Sequence, residues 1–106
     1  MQVFRGDTFE FDFNATSKDG GAYIFEPGDS LKIGIKQKLS NTKYVLFQKI
    51  DIEEEMDTVT VIFSHEEMKK CCKGDKILEV ELTDKNGVVR TLYQNKITIL
   101  EDVIDE

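Results

Sequence analysis

Apolar and charged residues alternate through most of this chain, and a period of two confines those stretches to half-buried β-strands. In TFEFDFN, Phe9, Phe11 and Phe13 share one face while Glu10, Asp12 and Asn14 share the other. SLKIGIKQ repeats the pattern, with Leu31, Ile33 and Ile35 inward and Lys32 and Lys36 outward. TVTVIFS offers Val59, Val61 and Phe63, ILEVELT offers Leu78, Val80 and Leu82 against Glu79 and Glu81, and KITIL turns Ile97 and Ile99 the same way. KYVLFQKID is apolar on both faces at Val45, Leu46 and Phe47. That predicts either a central strand or a strand with a second contact surface.

Turn signals separate the strands. KDGG at 18–21 supplies glycines where a positive φ is needed, and EPGD at 26–29 has the proline and following glycine of a type II turn. Asn86-Gly87, between two alternating runs, predicts a type I′ hairpin joining 76–84 to 88–94. Seven or eight short strands at this spacing predict an all-β fold, an antiparallel two-sheet sandwich. The 106 residues are expected to form one domain, 1–106. The closing EDVIDE reads as a strand end running into an acidic, frayed terminus.

One segment departs from period two. Ser64 and Glu67 form a capping box, Phe63 and Met68 the matching hydrophobic staple, and Gly74 a left-handed stop. They predict one short helix over about 64–73. The same segment holds the only histidine, His65, and the only cysteines, Cys71 and Cys72. Adjacent cysteines lack the spacing of a zinc site, and no second ligand pair exists to complete one. Neighbouring Cα atoms, about 3.8 Å apart, are also closer than a disulfide usually spans. Six residues of helix separate His65 from Cys71 and point them in different directions, so a nucleophile–base pair is not expected. The cysteines read as structural or incidental, with at least one a small buried hydrophobe at a core edge, and His65 as a solvated first-turn side chain.

Charge narrows the partners further. A net charge of −7 repels phosphate backbones and anionic bilayers, so neither nucleic acid nor membrane is expected as a partner. The acidic run DIEEEMD, Asp51 to Asp57, lacks the spacing and central glycine of an EF-hand and reads as a charged hairpin tip. No phosphate-binding glycine loop or nucleophile elbow is present. The expectation is a protein that is not an enzyme, with no catalytic residues, no metal and no cofactor. MQVFRGDTFEF has no basic segment followed by an apolar one, so a signal peptide is not expected, and a cytoplasmic location is.

Taken together, Gly6-Asp7-Thr8, Gly28-Asp29, Ser64–Glu67, Gly74, Glu79–Leu82, Asn86-Gly87 and Asp102-Val103 carry a resemblance that runs over nearly the whole chain. It resembles the small β-sandwich structural proteins of tailed phages and prophages, related to the N-terminal domain of phage baseplate upper proteins. The resemblance implies an immunoglobulin-like sandwich that serves as a tail, baseplate or neck component without catalysis. Its implied partners are other virion proteins or further copies of itself in a homo-oligomer. Candidate contact residues are the aromatics Tyr23, Phe25, Tyr44 and Tyr93, because aromatic anchors dominate interface energies. For each of them the competing reading is a half-buried core position, and Phe25 reads as core. The alternative function is a small ligand- or carbohydrate-binding module, calcium-dependent through Asp51–Asp57 or the loops around Asp19 and Asp29.

Overall fold

The computed structural model describes residues 1–38 and 43–101. The expectations for residues 102–106, including Asp102-Val103, lie outside them. Seven strands and one helix follow in order: β1 (Gln2–Phe4), β2 (Phe9–Phe13), β3 (Ser30–Lys36), β4 (Tyr44–Asp51), β5 (Val59–Phe63), α1 (His65–Met68), β6 (Gly74–Thr83) and β7 (Val89–Leu100). They form a five-stranded sheet in the order β1-β7-β6-β3-β4 and a two-stranded sheet, β2-β5. An order β7-β6-β3-β4 against β2-β5 is that of an immunoglobulin-like sandwich, GFCC′ against BE.

The alternation in the sequence decides what lies between the sheets. Phe9, Phe13, Val59, Val61 and Phe63 from the small sheet meet Leu31, Ile33, Ile35, Leu78, Val80, Leu82, Ile97 and Ile99 from the large one, and all are buried. Aromatic contacts cross the interface: Phe13 meets Tyr93 edge-on at 6.3 Å between ring centres. The Gln48 side chain of β4 also donates to the Ile62 carbonyl of β5 at 2.8 Å, tying the two sheets on the other flank.

Four details differ from the sequence reading. The stretches 88–94 and KITIL are one strand, because an irregularity opposite Val80/Glu81 leaves Leu92 as an extra residue and resets the alternation. β1 pairs with β7 in parallel, so the large sheet is not wholly antiparallel. The Asn86-Gly87 turn is not type I′, since Gly87 has φ +85 but no residue other than glycine has a positive φ. Instead Gly87 N–H donates to the Asp84 carbonyl and Asp84 N–H to that of Val88, a type I turn closed by a left-handed glycine. The Asp84 carboxylate favours this form by accepting from Asn86 and Val88 N–H.

The fourth is the helix, which spans only His65–Met68. Its capping box is formed as expected, with Ser64 N–H on Glu67 at 3.0 Å and Glu67 N–H on Ser64 at 3.2 Å. After Met68 the chain tightens: Lys70 and Cys71 N–H donate to carbonyls three residues back. The Arg5 guanidinium then takes the carbonyls of Cys71 at 3.0 Å and Lys69 at 2.8 Å. A side chain from the β1–β2 link thus replaces the second helical turn, and Gly74 opens β6 rather than ending the helix.

At one end of the sandwich a buried carboxylate joins two turns. Gly28, at φ +98, and the Asp29 N–H bond to the Glu26 carbonyl complete the type II turn that EPGD predicts. Asp29 accepts from Glu26 N–H at 3.0 Å and from Lys85 N–H at 3.2 Å in the β6–β7 hairpin. Its backbone carbonyl accepts Ile52 N–H at 2.9 Å. Replacing Asp29 by Ala strands two donors beside a side chain that is only 4% exposed. The expected loss is about 1–3 kcal/mol, read as a lower urea midpoint, and an unchanged midpoint would contradict this role for Asp29.

Candidate functional site

The side chains that gather on the solvent face of the five-stranded sheet do so around Glu79. Period two aims this residue outward from β6, yet it is only 3% exposed. Three neighbouring strands cover and satisfy it. From β4, the Tyr44 hydroxyl donates to Oε1 at 2.7 Å. From β3, Lys36 Nζ lies 3.2 Å from each carboxylate oxygen. From β7, the Gln94 amide donates to Oε2. Burial pushes the Glu79 carboxyl upward, but the bonds from Gln94, Tyr44 and Lys36 with the lysine charge outweigh it and hold the group below the usual glutamate range. Burial and the Glu79 carboxylate raise Tyr44, so the phenol stays protonated and remains a donor.

Gly34 makes this arrangement possible. It lies between Phe47 of β4 and Glu79 of β6 in the ladder, and the Tyr44 ring lies over its backbone. A Cβ at position 34 would fall 2.1 Å from Tyr44 Cδ1, inside any allowed contact. An irregularity between Ile35 and Lys36 pairs Lys36 with Tyr44 and leaves Val45 without a partner. Tyr44 and Phe47 consequently come to the same face, 6.1 Å apart between ring centres. Lys32 Nζ sits over both rings, 4.8 Å from Tyr44 and 5.5 Å from Phe47, and Lys36 Nζ sits 5.0 Å from Tyr44. These are favourable cation–π distances.

β4 is therefore an edge strand, and the second surface suggested by KYVLFQKID is solvent: Leu46 is buried while Val45 is exposed and Phe47 is 59% exposed. Phe47 is thus an exposed aromatic ring with the Lys32 ammonium beside it. Of the candidate contacts read from the sequence, only Tyr44 belongs to this cluster. Tyr23 and Tyr93 are half-buried against the core, and Phe25 is fully buried, packed 5.2 Å from the Tyr23 ring. Phe25 is accordingly a core residue and is withdrawn as a contact. The sequence reading omitted Phe47, although the double-faced apolar run contained the signal.

The other candidate clusters resolve into fold elements. Cys71 is buried and Cys72 exposed, and both are free thiols. Burial raises the Cys71 thiol, with Lys76 and Arg5 opposing. His65 is exposed. The acidic run is not a hairpin tip, because β4 pairs with β3 and β5 with β2; it links the two sheets, with Ile52 buried, Met56 paired with Phe25 and the carboxylates between them turned outward. Asp19 accepts from Ser17 and from Gly21 N–H within its own turn. Among the described residues no three His, Cys, Asp or Glu side chains converge as a metal site would require.

Two measurements follow from this geometry. A carboxyl held below its ordinary value, about 4.3 for glutamate, stabilises the fold fully above that value and loses its contribution as pH falls through the folded value. Glu79→Gln is expected to cost about 1–3 kcal/mol at neutral pH and progressively less below pH of about 4.3. Urea midpoints of both proteins across that range check it, and a difference that does not vary with pH contradicts it. In thiol labelling of the native protein, Cys72 is expected to react at once and Cys71 only as the protein unfolds. A Cys72→Ser variant that still labels rapidly would overturn the buried placement of Cys71. Comparison of the chain with protein-family models, with curated proteins and with solved structures gave no significant match.

Proposed function

We propose that this protein is a non-catalytic assembly module of a phage or prophage virion, of the tail, baseplate or neck type. It acts through protein–protein contacts made by the β4 edge and the adjoining outer face of β3. The observation that carries the contact is Phe47: a large aromatic side chain, 59% exposed, on an edge strand, with its neighbours fixed. Single exposed apolar residues are common on protein surfaces. What sets Phe47 apart is preorganisation. Tyr44 is bonded to a buried carboxylate and the Lys32 ammonium rests over both rings, so little side-chain freedom remains to be lost on binding.

Charge gives the partner's character. Lys32, Lys43 and Lys49 lie on or beside this edge in a chain whose net charge is −7. Lys49 is paired loosely with Asp51 at 3.7 Å, and both side chains are exposed. Such a patch favours an acidic partner surface with an apolar recess for the ring. The virion assignment rests on the sequence resemblance, and an exposed sheet edge is a surface at which a sandwich can add strands or pack against a neighbour.

Absolute molar mass measured by light scattering, from roughly micromolar to millimolar protein, tests the contact. The expected result is a defined multiple of the 12.2 kDa chain that falls to the chain mass in Phe47→Asp. A particle of chain mass across the whole range, or an assembly that Phe47→Asp leaves intact, overturns this reading.

A further inference from the structure

The opposite flank of the sandwich carries a complementary feature. β2 pairs only with β5, and β1 covers β7 only at Thr98–Leu100. Between these two incomplete edges lies an apolar groove of about 240 Å³, lined by Met1, Phe11, Phe13, Leu78 and Tyr93. Phe11 points inward like Phe9 and Phe13 but is half-buried where they are buried. Phe11 and Tyr93 are thus only partly covered on this side, while Phe13 and Leu78 beneath them are buried. Asp12 stands at the groove, bonded by Thr60 at 2.8 Å, and Glu10 is exposed on the same outward face of β2.

We infer that the occupant of this groove is a second copy of the protein, inserting Phe47 of its β4 edge. The inference rests on the reading of the β4 edge given above and names its partner. Three observations support it. The chemistry matches on both parts: an exposed aromatic ring faces an aromatic-lined recess, and the lysines beside the ring face Asp12 at the groove, with Glu10 two residues away on β2. Among the described residues, no carboxylate is ion-paired with Lys32, which leaves it free for such a partner. Finally, the strand order β1-β7-β6-β3-β4 puts donor and acceptor on opposite sides of one molecule. A chain cannot fill its own groove, and each copy that donates a ring leaves its own groove open. The contact is therefore heterologous and head-to-tail, closing into a ring when the rotation permits and running on as a filament when it does not.

Mixing experiments distinguish this arrangement from a two-fold contact between β4 edges. Phe47→Asp removes the donor and keeps the groove. Phe11→Lys blocks the groove and keeps the donor. The double reversal Glu10→Lys with Asp12→Lys repels the donor through exposed positions only, and serves if Phe11→Lys fails to fold. Each variant alone is expected to stay at the 12.2 kDa chain mass, or to need at least about tenfold more protein to assemble. An equimolar mixture of a donor-dead and a groove-dead variant is expected to give a particle of twice the chain mass and no larger, because it has one intact contact. Groove variants that assemble as the unmodified protein does, or a mixture that stays at chain mass, overturn the head-to-tail inference and leave the β4 edge in place as a contact. Assembly unaffected by Phe47→Asp overturns the edge reading itself.

Discussion

Four strands of the five-stranded sheet converge on the carboxylate of Glu79. It sits on β6 and accepts from Lys36 of β3, Tyr44 of β4 and Gln94 of β7. A charged group on the solvent side of a sheet ordinarily stays in water. Here it is buried by the residues that satisfy it, and a buried carboxylate with its donors present is stabilising only while all of them remain in place. The irregular start of β4, the ring lying over Gly34 and the lysine over the two rings all follow from keeping this group paired. Phe47 is exposed for a simpler reason, since alternation along an edge strand turns it to solvent while Leu46 turns inward.

The two flanks of the sandwich differ in a way the topology dictates. On one, Gln48 bridges to β5, and the β4 edge presents an aromatic ring among cations. On the other, a two-stranded sheet lies over a five-stranded one and leaves Phe11 and Tyr93 half-covered beside Asp12. Free edges on both flanks invite further pairing. The lysines beside β4 and the carboxylates of β2 are the basis of the head-to-tail contact proposed above.

Much of the core was legible because period two maps directly onto burial. Phe9, Leu31, Ile33, Val61, Val80 and Ile99 all lie where alternation puts them. The cap at Ser64 and the turn at Pro27-Gly28 were legible for a similar reason, since each depends on residues within four positions of one another. Legibility failed where a distant group intervened. Arg5 took over the carbonyls that a longer helix would have used, and Asp84 recast the Asn86-Gly87 turn. An extra residue at Leu92 disguised one strand as two. The candidate site is the least legible part: being aromatic is all that marks Tyr44, Phe47 lies within a double-faced apolar run, and alternation makes Glu79 an ordinary outward charge.

The sequence by itself determined that the chain alternates into strands, where it turns, which faces are apolar and that one corner is a capped helix. Those features come from local geometry, in which a residue's neighbours along the chain settle its state. Only the tertiary structure decided that β4 is an edge, that β1 runs parallel to β7, that Glu79 is buried and that a groove opens beside β2. Each of these depends on which strands become neighbours, and strand order is set by contacts between residues far apart in the chain, on which a period of two is silent.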